Sequence, residues 1–193
     1  MRIGITGGIA CGKSTICKKL EERGLFVFNS DVEAKEIANT HDNVKANIIK
    51  AFGSESYIDG IYNPSFVRSL ILEDKSKLVE LNKCFGDLVM QKYLDMTNDL
   101  YLSFFESAII FEHHLEKNFD VIVGVTCSES EVIRRLVIRT YGMTDVKKLI
   151  GLQENNAKKM SKCDITIDTT HYKPIDIDLL LKNILNHSKT KTK

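Results

Sequence analysis

Apolar positions fall along the chain in short blocks, and the spacing inside each block predicts what it forms. Arg2–Thr6 is a β-prone run that ends at Gly7-Gly8. In Ser14–Arg23, Ile16, Cys17 and Leu20 recur at helical spacing, and Gly24 stands where a helix C-cap would. Leu25–Phe28 is again a short apolar strand. Asn29-Ser30-Asp31 then opens a helix with Ile37 and Ala38 near its end, and Ser30-Asp31-Val32-Glu33 fits a capping box. Strand, helix and strand within about thirty residues make a βαβ unit, so the sheet is expected to be parallel. From His41 to Asn98 the pattern is helical, with a turn at Asp59-Gly60 and a break near Asn63-Pro64. Strands follow at Tyr101–Phe105, Val121–Val125 and Ile165–Ile167, and helices at Ser128–Ile138, Leu149–Lys162 and Ile175–Leu185. Ser188–Lys193 alternates Lys with Thr and is expected to be disordered.

Composition narrows the class. The 193 residues are 43% apolar and 27% charged, with 11 Gly and 2 Pro, which excludes disordered and collagen-like chains. Lys and Arg number 27 against 26 Asp and Glu, a net charge of +1, so no global field draws the chain to nucleic acid or an anionic membrane. The five cysteines, Cys11, Cys17, Cys84, Cys127 and Cys163, form no C-x-x-C pair, and neither a disulfide framework nor a zinc site is expected. No export signal and no apolar run long enough for a membrane span is read, so the expected setting is a reducing cytoplasm.

Chemistry enters with Gly7-Gly8-Ile9-Ala10-Cys11-Gly12-Lys13-Ser14-Thr15, which satisfies G-x-x-x-x-G-K-S between a strand and a helix. Glycines there let successive N–H groups converge on a phosphate, and the helix adds its positive end. Lys13 is placed to reach the β- and γ-phosphates of a nucleotide, and the Ser14 hydroxyl to ligate Mg²⁺. Asp31 follows the second strand on the same carboxyl edge of a parallel sheet. Two readings stand for it: accepting a proton from an attacking hydroxyl or holding Mg²⁺ through water, and merely complementing a helix dipole. Arg135 and Arg139 share a helix face, with Arg134 beside them, and three of the chain's six arginines fall in this stretch. Such a cluster suits a phosphate clamp, against the alternative of a solvated face. Glu106 ends the third core strand, placed to approach the metal; for both Glu106 and Glu112 the alternative is a local cap or ion pair, the favoured reading for Glu112.

With these residues in place the chain resembles the dephospho-coenzyme A kinase family along almost its full length. ITGGIACGKST is similar to the family's TGGIGSGKST, and FVFNSDVEAKEIA to its VIDAD-x-IAR, which puts Asp31 on the second, catalytic aspartate. DGIYNPSFVRSLIL, ESAIIFE and RLVIR are similar to further family segments, the last carrying Arg135 and Arg139 as the lid-side arginines. Gln153, Lys159 and CDITID around Asp164 match the family's closing motif. Asn29, Pro64, Ala108 and Gly86-Asp87 depart from it, mostly on the acceptor side.

The resemblance implies an α/β, three-layer P-loop NTPase fold with a parallel sheet of about five strands. It implies one domain: a core at about 1–40 and 99–186, a helical acceptor-side insertion at about 41–98, and an Arg-bearing lid at about 134–160. The implied activity is ATP-dependent, Mg²⁺-assisted phosphoryl transfer to the ribose 3′-hydroxyl of dephospho-CoA. Lys13, Asp31, Arg135 and Arg139 are then the catalytic residues, Gly7 to Thr15 the ATP cradle, and Ser14 and Asp31 the metal-side groups. The partners implied are small molecules only, with the chain a monomer or small homo-oligomer. A (deoxy)nucleoside monophosphate kinase with the same loop and lid is the alternative, and an ATP-binding regulator without an acceptor is the second. Cys11 is either a small-residue substitute for the family's serine or an oxidisable thiol inside the loop.

Overall fold

The computed structural model describes residues 1–138, 146, 156–171 and 175–191. Its strands are β1 (Arg2–Gly7), β2 (Phe26–Asn29), β3 (Tyr57–Ile58), β4 (Ile61–Tyr62), β5 (Ser103–Glu106), β6 (Val121–Thr126) and β7 (Ile165–Asp168). Its helices are α1 (Lys13–Glu21), α2 (Ser30–Thr40), α3 (Asp42–Phe52), α4 (Pro64–Glu73), α5 (Ser76–Phe85), α6 (Leu88–Thr97), α7 (Glu129–Ile138), α8 (Asn156–Met160) and α9 (Ile177–Lys191).

The expected parallel sheet of about five strands is present. Its order is β2-β5-β1-β6-β7, with β1 parallel to both β5 and β6, and β6 parallel to β7. Central strands of such a sheet are covered on both faces, so they read as continuous apolar runs. Ile3, Ile5, Val121, Val123 and Val125 are accordingly fully buried. At the sheet's β2 side, the Phe28 ring stacks on Phe105 with centroids 5.4 Å apart. One stripe of α1, made of Ile16, Cys17 and Leu20, enters the same core. Each such buried aliphatic side chain stabilises by about 1.5–3 kcal/mol. Beyond Glu21 the chain reverses through Gly24 at φ +75°, as the C-cap reading required.

Two compact units are distinguished by their internal packing: Met1–Phe28 with Leu100–Lys193, and Asn29–Asp99. The second begins about a dozen residues before the insertion expected at 41. The reason lies in α2, which turns Ile37 and Ala38 inward and packs with α3, α5 and α6 of its own unit. Tyr57 Oη donates to Ala38 O at 2.8 Å, and Tyr62 N to Asn39 Oδ1 at 2.7 Å. Those bonds involve a feature the helical pattern of 41–98 omitted, the short antiparallel hairpin β3–β4 around Asp59-Gly60. Its strands are two residues each, too short for alternation to register.

At the C-terminal side, α9 continues to Lys191, so 188–191 are helical rather than part of a disordered tail. Ser188 Oγ donates to Leu185 O at 3.0 Å, and His187 Nε2 lies 3.2 Å from Asp164 Oδ1, which ties the last turns down. Of the charged helix expected at Leu149–Lys162, α8 supplies Asn156–Met160, and 149–155 lie outside the described residues.

Candidate active site

The glycine-rich loop runs from the end of β1 into α1 at the middle of the sheet. Gly7 lies at φ +148°, and a Cβ there would stand 2.0 Å from Val125 O on neighbouring β6, so only glycine fits. Ala10 and Gly12 are left-handed, at φ +57° and +93°, and reverse the backbone around Cys11. Gly12 is the N-cap of α1 and offers no side-chain cap, and the first helical turn holds no acidic residue. The positive end of the helix is therefore available to an anion. Lys13 Nζ folds back over the loop, donating to Gly7 O at 3.1 Å and Gly8 O at 3.0 Å. Ser14 and Thr15 are exposed on the first turn.

Arg135 is brought to this loop by α7. Its Nη1 donates to Ala10 O and to Thr169 Oγ1, both at 3.0 Å, and its Nη2 to Thr169 O at 2.6 Å. Its Nε donates to Glu131 Oε1 at 2.7 Å, one helical turn earlier. Thr169 Oγ1 in turn donates to Cys11 O at 2.8 Å. The guanidinium therefore buttresses the strained Ala10–Cys11 peptide. It also stands close to the start of α1, since a Cβ on Gly12 would be 3.8 Å from Arg135 Nη1. Glu131 serves Arg134 as well as Arg135, and these two partners, Arg134 first, hold its carboxyl down at about 2.

Asp31 opens α2 in the second unit with its side chain exposed. The helix is capped by Asn29, whose Oδ1 accepts from Asp31 N at 3.1 Å and Val32 N at 3.0 Å, rather than by the Ser30 capping box. Capping is thus done from outside the helix, and the Asp31 carboxylate is not spent on it. Glu106 ends β5 in register with Ile5. Together with burial, the larger cause, its charge pushes the Cys17 thiol on α1 up to about 12. Arg139 and Gln153 lie outside the described residues.

Comparison with known proteins places this arrangement in a family. The dephospho-CoA kinase family model matches residues 1–173. The chain belongs to the dephospho-CoA kinase family. A dephospho-CoA kinase of Listeria monocytogenes is 30% identical over 173 residues, covering 86% of each chain. Among solved structures, a Thermus thermophilus protein superposes with a TM-score of 0.74 at 22% identity, over 100% of this chain and 96% of that one. The dephospho-CoA kinase of Campylobacter jejuni does so at 0.61 and 20% identity, over 98% of each chain.

Against that family pattern, two of the departures find local explanations. Asn29 replaces an aspartate, and as an N-cap either residue serves. Pro64, where an arginine is usual, occupies the first turn of α4 beneath the Asn63 cap, a position that needs no N–H. Glu112 is paired with Lys159, which is fully buried, at 2.7 Å, and Lys159 Nζ also donates to Ala108 O at 2.7 Å. Glu112 does pair, but not locally: its partner Lys159 is a family-motif lysine 47 positions away.

Sequence reasoning missed three groups that shape the loop. Thr169 follows β7 and holds Cys11 O and Arg135. Asn156 Nδ2 donates to Thr126 Oγ1 at 2.7 Å, and a Cβ on Gly8 would be 3.5 Å from Asn156 Oδ1. Cys127 Sγ lies 3.2 Å from Cys11 Sγ. Thr126, Cys127 and Thr169 all sit at the carboxyl ends of strands, so the sheet rule that flagged Asp31 could have found them.

Proposed function

We propose that the chain transfers the γ-phosphoryl group of ATP to the ribose 3′-hydroxyl of dephospho-CoA, with Mg²⁺ as the metal. The observation that carries this reading is the loop from Gly7 to Thr15, built at the sheet's centre in a chain of this family. The donor set suits ATP–Mg²⁺: backbone N–H groups and a helix end for phosphates, a lysine ammonium, and the exposed Ser14 hydroxyl as a hard oxygen ligand. Bound Mg²⁺, held by the Ser14 hydroxyl with Asp31 on its side, would neutralise charge on the β- and γ-phosphates.

The chain's own residues do the rest. Lys13 exchanges its bonds to Gly7 O and Gly8 O for the phosphate oxygens, where charge develops during transfer. Asp31 orients the acceptor hydroxyl and takes its proton as the new P–O bond forms. Arg135 keeps the loop in shape from behind, and Arg135 with Arg139 adds positive charge to the transferring group. Closure by the segment that bears them excludes the water that would otherwise hydrolyse ATP.

Asp31→Asn tests the assignment. General-base catalysis contributes about 10²–10⁴-fold, so turnover should fall in that range while the ATP dissociation constant, read by calorimetry, changes less than about 2-fold. Turnover within a factor of about 3 of the parent would remove Asp31 from the chemistry.

A further inference from the structure

Cys11 sits at the crown of the loop, and its sulfur lies 3.2 Å from that of Cys127, the residue after β6. Both are free thiols, exposed by only 1% and 9%. They are 116 positions apart in sequence, so the fold makes the juxtaposition. The separation exceeds the S–S bond length of about 2.05 Å by only about 1.2 Å. Cys84 and Cys163 make a different contact, each directing its sulfur to a carbonyl one helical turn back, of Glu80 and Lys159. Cys11 is also flanked by two left-handed residues, Ala10 and Gly12.

We propose that Cys11 and Cys127 form a reversible disulfide on exposure to hydrogen peroxide, and that this bond turns the phosphate-binding loop off. The O–O bond of the peroxide breaks as one sulfur is oxidised to a sulfenic acid and one water leaves. The second sulfur then attacks the first, the S–O bond breaks, and a second water leaves. Two S–H bonds are lost, one S–S bond is gained, and the peroxide is reduced to two waters. A dithiol returns both thiols by exchange.

Closing the last 1.2 Å or so pulls Cys11 toward β6, while Arg135 and Thr169 hold Ala10 O and Cys11 O. The N–H groups that should converge on phosphate then turn away, and misplacement on the order of 1 Å costs up to about 10²-fold in rate. Burial pushes the Cys127 thiol up to about 12, so that thiol rests protonated. Reaction therefore waits on loop opening and favours an oxidant small enough to enter. A nucleotide that closes on the loop slows it. These functional consequences rest on the loop's holding ATP as proposed above.

The test treats the full chain with hydrogen peroxide, with and without ATP–Mg²⁺, and follows mass and turnover together. The expected result is a loss of about 2 Da, a non-reduced peptide joining Cys11 to Cys127, and a fall in turnover of at least about 10-fold. Dithiothreitol restores the turnover, and ATP–Mg²⁺ slows its loss. Cys127→Ser, judged against its own untreated turnover, resists the same treatment, with Cys127→Ala as the second variant should serine disturb packing. Absence of the joined peptide overturns the proposal, as does its formation with unchanged turnover or equal inhibition of both Cys127 variants. The mass and peptide readouts stand whatever the acceptor, and ATP binding replaces turnover should dephospho-CoA not be phosphorylated.

Discussion

Gly7 closes β1 with its Cα pressed against the Val125 carbonyl, where a Cβ would come to 2.0 Å of the oxygen. Gly7→Ala must therefore separate β1 from β6 or distort the loop, in addition to placing alanine at φ +148°. We expect a loss of about 3 kcal/mol, seen by calorimetry as a fall in Tm of roughly 6–12 °C. A fall under about 2 °C would mean that the strand pair yields more easily than its geometry implies. Lys159 is the second single residue with a large expected effect. It is a fully buried ammonium paired with Glu112, which is one quarter exposed. Lys159→Met leaves that carboxylate without its cation, at a cost of about 3 kcal/mol in denaturant unfolding. Adding Glu112→Gln should recover more than half of the loss; no recovery would show that the ammonium matters through Ala108 O instead.

At the scale of the element, α7 works as a lever that carries Arg135 to the loop and fixes it there through Glu131. Arg134 and Arg135 lower the Glu131 carboxyl from the ordinary 4.5 to about 2. A carboxyl lowered in the folded state contributes stability that is fully present above the unfolded value. Here that contribution is lost as pH falls from about 4.5 to about 2. Glu131→Gln should therefore flatten the acid-side stability curve in that window, and it should raise the ATP dissociation constant by freeing Arg135 from its turn. An unchanged acid limb in the variant would show that the Glu131–arginine pairs do not survive in solution.

Taken as a whole, the molecule divides legibility unevenly between its two units. Met1–Phe28 with Leu100–Lys193 was readable because its strands are continuous apolar runs and its loop motif names its own place between strand and helix. Val121–Val125 and Arg2–Thr6 were found to within one residue for that reason. The unit Asn29–Asp99 was harder. Its hairpin strands are two residues long, and α2 follows directly from a core strand, so nothing in the pattern marked a boundary at Phe28. The capping box misled because Asn29, Ser30 and Asp31 are all able caps, and only geometry shows which oxygen is used. In the site, the motif residues were legible, whereas Thr169, Asn156 and Cys127 reach the loop through tertiary packing that spacing does not encode. No helix among the described residues is long and apolar enough to cross a membrane.

The acceptor is where the account is most exposed, since the phosphate-handling residues suit any kinase of this architecture. The direct measurement is an acceptor panel with ATP–Mg²⁺: dephospho-CoA, dCMP and dGMP, each followed by mass spectrometry and phosphorus NMR. The account predicts one phosphate added to the ribose 3′-hydroxyl of dephospho-CoA, with ADP in equal amount and no turnover of the deoxynucleotides. Phosphorylation of dCMP or dGMP without phosphorylation of dephospho-CoA would contradict it.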